Sequence, residues 1–375
     1  MTEGIQLNIP QRLGLIRPIL TISLILSVIL SFNLWAGERS FPFAPALDEP
    51  LMGDALSTVL LVFGVLFLAS SILMKWYRLL IFFGLLCAGL LVLNDVNRLQ
   101  PWFYIYTVML FVFVCYNGRV DDSNRFTSFF ILLQIILASV YFFSGLHQWK
   151  MENGVDAYLE VIVPLKSLLS QRQFSFAQKT AVFAPFILMF IGVGLMIKPT
   201  RYLAVSLALL VHVILFLLLF PGNNRFNLSL WFCNITFAAL VFILFSGKTK
   251  QRYFSPTYLF KMPLFYVIVT LFGIMPFLNQ SGRWPDYLSS NFNTVNNHRA
   301  GILISKEVYT NLSPYHKYFC TSRGRMYILD YNAWCNYELR VSCAPEKKVV
   351  KAVNDYLVKL NKYPVKETEL ALSAP

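Results

Sequence analysis

Taken as a pattern of apolar and polar positions, the chain is a series of long apolar runs with short polar breaks, followed by a polar C-terminal stretch. Nine runs stand out: 13–36, 56–74, 79–94, 102–116, 126–146, 181–197, 202–220, 226–246 and 263–279. A helix that crosses the hydrocarbon core needs about 20 apolar residues. Runs 79–94, 102–116 and 181–197 are therefore short and must borrow flanking residues. The first run exceeds the apolar core of a signal peptide, about 7–15 residues, and reads as an uncleaved first span. The links 75–78, 198–201 and 221–225 are tight, which makes their helices antiparallel neighbours. The pattern predicts an all-α polytopic membrane helical bundle of about nine spans over residues 1–280.

Two stretches break the pattern. Residues 155–169 are apolar but carry Glu160, Pro164 and Lys166. They read as an interfacial or re-entrant piece, not a crossing. From Gln280 the chain turns polar. Gly301–Ser305 and Met326–Asp330 look like short strands. Pro345 opens an amphipathic helix to about Leu360, with Val349, Val353, Tyr356, Leu357 and Leu360 on one face. Residues 281–375 thus read as a small α+β appendage, docked on the membrane part because it is marginal alone.

Composition agrees with the pattern. Hydrophobic residues make up 57% and charged residues 14%, with mean hydropathy +0.57; a soluble domain carries about 25% charged residues. Aromatic residues at 16% suit lipid contact and interfacial belts.

The net charge of +13 sets orientation. With the N-terminus inside, inner segments carry Arg12, Arg17, Lys75, Arg78, Arg119, Arg125, Lys198, Arg201, Lys248, Lys250, Arg252 and Lys261. Outer loops carry Arg39, Arg98, Lys150, Lys166, Arg172, Lys179 and Arg225. That bias favours a cytoplasmic N-terminus, and nine spans then put the C-terminal part outside. In a bacterium this would be an inner-membrane protein. No basic run is interleaved with aromatics in a soluble domain, so the partners expected are membrane lipids and an exported or membrane protein, not nucleic acid.

Candidate chemistry centres on residues 92–106, VLNDVNRLQPWFYIY, where an apolar run ends in Asp95, Asn97, Arg98 and Gln100 and the next opens with Pro101 and Trp102. Charges flanked by amides at a membrane boundary suit a site mouth. In the fifth run Gln134, Tyr141 and Gln148 are seven apart and share a helix face, and Gly145 allows close approach. In the eighth run Asn227, Trp231 and Asn234 share a face at i, i+4 and i+7. His212 lies midway along the seventh run and His147 near the end of the fifth. These groups fall in the outer half of the bundle, which suggests an outward-facing polar pocket. Plainer readings exist for each. Amides often only tie membrane helices together, Asp95 and Arg98 three apart can simply pair, and Trp102 and Trp149 fit belt anchors.

Of the six cysteines, Cys87, Cys115 and Cys233 read as apolar fillers. Cys320, Cys335 and Cys343 fall in the tail, where one disulfide with one thiol left over suits an exported location. With His316 they give no recognised zinc spacing, and no metal site is expected. No phosphate-binding loop, serine-hydrolase elbow or zinc-protease motif is present.

Several stretches together resemble a known family: LWAGERSFPF after the first run, DVNRLQPWFY, SVYFFSGLHQWK and HVILFLLLFPGNNRFNLSLWFCN. They are similar to the horizontally transferred transmembrane (HTTM) and DoxX-like membrane proteins, with the vitamin K-dependent gamma-carboxylase as a distant relative. The resemblance covers about residues 10–280. It implies a Y-F-x-A-G-x-x-K motif at Tyr141, Phe142, Phe143, Ser144 and Gly145, but Gln148 stands where the family has its lysine. Gln cannot accept a proton usefully. The family's Asn-Asn-His element would fall at Asn97 and Arg98, without the histidine. The resemblance therefore implies a pocket for a quinone, isoprenoid or other lipid, without carboxylase chemistry. The leading expectation is an intramembrane pocket binding a lipid-like or quinone ligand, with redox or modification chemistry as its extension. The alternative is a non-catalytic membrane partner or assembly factor working through its exported C-terminal part. A transporter ranks last, since no inverted repeat or pair of broken helices is evident.

Overall fold

The computed structural model describes residues 7–36, 39–116, 123–150, 162, 166, 169–219, 227–247, 256–290 and 301–361. Eight described helices are long and apolar enough to cross a membrane. They are α1 (Ile9–Leu30), α2 (Asp54–Leu73), α3 (Tyr77–Asn94), α5 (Ser123–Lys150), α6 (Gln171–Met196), α7 (Arg201–Leu218), α8 (Leu228–Phe245) and α9 (Pro263–Ser281). The run at 102–116 forms α4, Pro101–Cys115, only fifteen residues long, so nine full-length spans are not seen. The sixth run extends backward instead: 171–180 is helical and joins the apolar stretch through a 3-10 turn. The piece at 155–169 lies, apart from isolated residues, outside the described residues, as does the link 221–225.

α5 is the axis of the bundle: 78% of its most apolar window is buried, against 22–50% for the other seven. Its 28 residues make about 42 Å of helix, longer than the hydrocarbon core of about 30 Å. Glycine sets its approach to α6. A methyl on Gly145 would stand 2.4 Å from the Pro185 carbonyl oxygen, and one on Gly192 2.7 Å from that of Ala138. Among membrane helices, such small residues let backbones pack directly. Hairpins form at both described tight links, α2 with α3 and α6 with α7.

The two ends of the bundle differ. At one end, arginines of neighbouring segments cap helix C-termini. Arg12 donates to the Ile243 and Ser246 carbonyls at 3.1 and 2.5 Å, Arg17 to Ile72 at 3.4 Å, Arg78 to Val114 at 2.8 Å, and Arg201 to Leu195 at 2.9 Å. The last carbonyls of a helix have no partner within it, and hydrocarbon offers none. Guanidinium groups meet that need and oppose the negative end of the helix dipole.

At the other end sits the C-terminal α+β part. Its antiparallel sheet has order β1 (Gly301–Ser305), β3 (Met326–Asp330), β2 (Cys320–Arg323). The first and third match the strand-like runs; β2 does not announce itself, because its burial shows no alternation. Helices α10 (Tyr331–Leu339) and α11 (Lys347–Asn361) follow. Val349, Val353 and Leu357 on α11 are fully buried as the sequence pattern predicts, while Leu360 is exposed.

Candidate functional site

The polar residues of the membrane part separate into two groups, one at the bundle end and one inside it. The end group is built on the turn between α3 and α4. Here Asp95 pairs with Arg39 at 2.5 Å, not with Arg98 as its spacing suggests. Its other oxygen accepts from the Ala44 amide at 3.2 Å and from the amide and side chain of Asn97 at 3.2 and 3.0 Å. Arg98 turns away and caps three carbonyls, those of Leu34, Leu91 and Trp35, at 3.0–3.1 Å. Burial pushes the Arg98 guanidinium down to about 10, with Asp95 acting in the opposite direction; it stays charged at neutral pH.

This turn holds the C-terminal part. Asn97 Oδ1 accepts from the Ala344 amide at 3.0 Å, and Gln100 donates to the Ser342 carbonyl at 2.9 Å. Glu338 reaches back from α10. One oxygen accepts from the Ser40 and Phe41 amides; the other accepts from the Tyr315 hydroxyl at 3.0 Å and the Trp334 indole at 2.8 Å. Phe41 packs edge-on against Trp334 at 5.0 Å. Asp95, Arg98, Asn97 and Gln100 thus form a structural joint. Sequence reading missed Arg39 and Glu338. The available signals were a lone cation in the acidic first outer loop, and the single acid between Asp330 and Glu346.

The inner group is a side-chain chain across three helices. Tyr141 Oη on α5 hydrogen-bonds His212 Nε2 on α7. His212 Nδ1 meets Asn234 Oδ1 on α8 at 3.1 Å, and Asn234 Nδ2 donates to the Leu230 carbonyl at 3.0 Å. The imidazole stacks on Phe237 at 6.0 Å and 8°. Phe237 in turn faces Tyr106 on α4 at 6.3 Å, and Tyr106 faces Trp102 at 6.3 Å. The Trp102 indole N–H and Tyr106 hydroxyl are buried without a well-formed hydrogen bond among the described residues, the hydroxyl lying beside Cys233 and Thr236. His212 and Asn234 each lie six residues from the helix end nearest the joint, a depth of about 9 Å.

Of the sequence candidates, the fold brings Tyr141, His212 and Asn234 into one hydrogen-bonded chain, and the others make their contacts elsewhere. Trp102 is 1% exposed, so it is a core residue and no belt anchor; Trp149 is exposed. Asn227 caps the start of α8 through the Leu230 amide at 2.9 Å. Trp231 donates to the Phe216 carbonyl at 3.0 Å. Gln134 ties α5 to α8 by donating to the Leu244 carbonyl at 2.7 Å. Gln148 donates to Ser144 one turn back at 3.3 Å, and His147 stacks on Phe143. The apolar crevice lined by Leu24, Val28, Leu61, Leu68 and Phe103, and the groove at Lys75, Trp76 and Arg78, both lie away from the His212 chain. No disulfide joins any of the six cysteines in this structure, and among the described residues no group of three or more His, Cys, Asp or Glu could hold a metal. Comparisons with protein-family models, with curated proteins and with solved structures returned no match to this chain.

Proposed function

We propose that this multi-pass membrane protein binds the polar headgroup of a lipid-like molecule, a quinone or isoprenoid, beside His212. The observation that carries the reading is the Tyr141–His212–Asn234 chain: a phenol, an imidazole and an amide, on three helices, surrounded by apolar side chains. An intramembrane imidazole costs free energy to keep and is, as a default, a functional residue. The Trp102 and Tyr106 donors add hydrogen-bonding capacity along the ring series that runs from His212 through Phe237. A carbonyl or phosphate oxygen is the acceptor such donors suit. α7 buries only 22% of its apolar window, so the chain lies one helix away from acyl tails, and a ligand of the bilayer can approach from that side. Redox or modification chemistry at the bound headgroup is the extension of this reading.

The resemblance to HTTM and DoxX-like proteins supports a lipid-binding core, while Gln148 in the lysine position argues against carboxylation. α4 runs from the joint to Val114, whose carbonyl is capped by Arg78 at the far end. We therefore count α4 as a short ninth crossing, with the N-terminus cytoplasmic and the C-terminal part outside. Reporter fusions at both termini test this placement; a shared side for the two reporters rejects it.

The binding reading is tested by extracting lipids from full-length protein purified in mild detergent. A quinone or isoprenoid should co-purify, and Tyr141→Phe and His212→Ala should each lower its occupancy about tenfold, the effect of roughly 1.4 kcal/mol. Equal lipid content in wild type and both variants sinks the proposal.

A second reading is favoured by the joint. The turn at Asp95 is committed to carrying the C-terminal part, as a partner protein displaying an exported surface would require. If this is the main activity, deleting residues 281–375 abolishes function while His212→Ala leaves it intact; the reverse pattern selects the headgroup site.

A further inference from the structure

The face of the C-terminal part that meets the bundle contains two cysteines in contact. Cys335 stands on α10, one turn before Glu338, and Cys343 directly precedes Ala344, whose amide bonds Asn97. Cys335 Sγ donates to the Val341 carbonyl at 3.4 Å, and Cys343 Sγ donates to Asn332 Oδ1 at 3.4 Å. Each thiol thus reaches across to the segment that bears the other, and the two interact directly. Cys320 is elsewhere, on β2, with its thiol on the His316 carbonyl at 3.5 Å.

We propose that Cys335 and Cys343 are a disulfide pair, leaving Cys320 as a thiol, and that the bond clamps the two strips of the docking face together. One strip is α10 with Glu338; the other is 341–344 with the contacts to Asn97 and Gln100. The inference rests on the C-terminal part lying outside the cytoplasm, where disulfides persist. The oxidant is a disulfide donor. One cysteine thiolate attacks a donor sulfur to give a mixed disulfide, and the second thiolate displaces the donor, which leaves as a dithiol. The two protons and two electrons lost by the cysteine thiols end on the donor's two sulfurs. Both thiols are at most 1% exposed, so the exchange takes place while the segment folds, before docking closes over it.

Peptide mapping tests the pair. Full-length protein is denatured without reductant in the presence of an alkylating agent, then digested with trypsin. Cleavage after Arg340 separates peptide 326–340 from peptide 341–347. These two should be joined by a reducible bond, with Cys320 alkylated. Alkylation of both Cys335 and Cys343, or pairing of either with Cys320, overturns the proposal. A membrane-impermeant amine label on intact cells, read at Lys347 and Lys351, reports the side separately. If it reaches them only after lysis, the exported placement fails. The pair is then judged on purified protein partly unfolded in urea with oxidised glutathione: the same joined peptides support it, and their absence overturns it.

Discussion

At the scale of single residues, Asp95 shows how an ion pair at a membrane boundary becomes a fastening. Both side chains of the Arg39–Asp95 pair are almost wholly removed from solvent. Removing one partner of such a pair leaves a buried charge uncompensated, at a cost of about 3–5 kcal/mol. Asp95→Ala is therefore expected to lower the thermal unfolding midpoint in detergent and to speed proteolysis of the C-terminal part. The double variant Arg39→Met with Asp95→Ala should recover only a portion, because the Ala44 and Asn97 donors still lack their acceptor. Glu338 is the complementary case, a carboxylate that accepts from four donors. Glu338→Gln keeps the shape but turns an amide toward Tyr315 and Trp334. Each donor left buried and unpaired costs about 1–3 kcal/mol, so protease protection of the C-terminal part should fall measurably.

Individual elements respond through packing and protonation. α5 and α6 meet through backbone atoms at Gly145 and Gly192. Overpacking a fitted site costs about 1–3 kcal/mol, so Gly145→Ala should lower the unfolding midpoint, and Gly145→Leu should lower it further, by circular dichroism in detergent. The short helix Pro314–Lys317 gives the C-terminal part a pH response. His316 is buried beside Ser313, Trp334 and Tyr356. Burial pushes its imidazole below the usual histidine value, with Glu338 acting in the opposite direction. The unfolded chain binds the proton more readily than the folded one, so stability rises with pH in this window. The contribution is present above about 6.5 and is lost as pH falls through the folded value. Urea titrations read by Trp334 fluorescence should show a lower midpoint at pH 5.5 than at pH 7.5. His316→Phe should flatten that difference; an unchanged slope would contradict the assignment.

For the whole molecule, the two ends of the bundle have opposite tasks. Arginines at one end satisfy orphaned helix carbonyls. Amides and carboxylates at the other end hold a folded cap. His212 and Asn234 lie about 9 Å along their helices from the ends nearest the joint, and ring contacts of Trp102 and Tyr106 lead from that end toward Phe237 and His212. Loosening the cap should therefore reach the inner site. Asn97→Ala with Gln100→Ala is expected to raise the protease sensitivity of residues 301–361 and, in the same preparation, to reduce co-purified lipid. A rise in protease sensitivity without a fall in co-purified lipid would show that the cap and the core act independently.

The sequence alone determined the kind of object and the local order within it. Long apolar runs dictate helices in lipid because each helix satisfies its own backbone. The 3.6-residue period put Val349, Val353 and Leu357 on one buried face. The i, i+7 spacings put Tyr141 on one face of α5 and Asn234 on one face of α8, but their meeting at His212 came from the fold. Partners far apart in the chain were not legible. Asp95 and Arg98, three apart, looked like a pair, yet the fold brings Arg39 to Asp95 from 56 residues away. Nothing in local spacing separates a charge that lines a mouth from one that ties a joint. Only the tertiary structure decided which it is, because an ion's partner in a dry interior is set by which backbone and side-chain groups converge there.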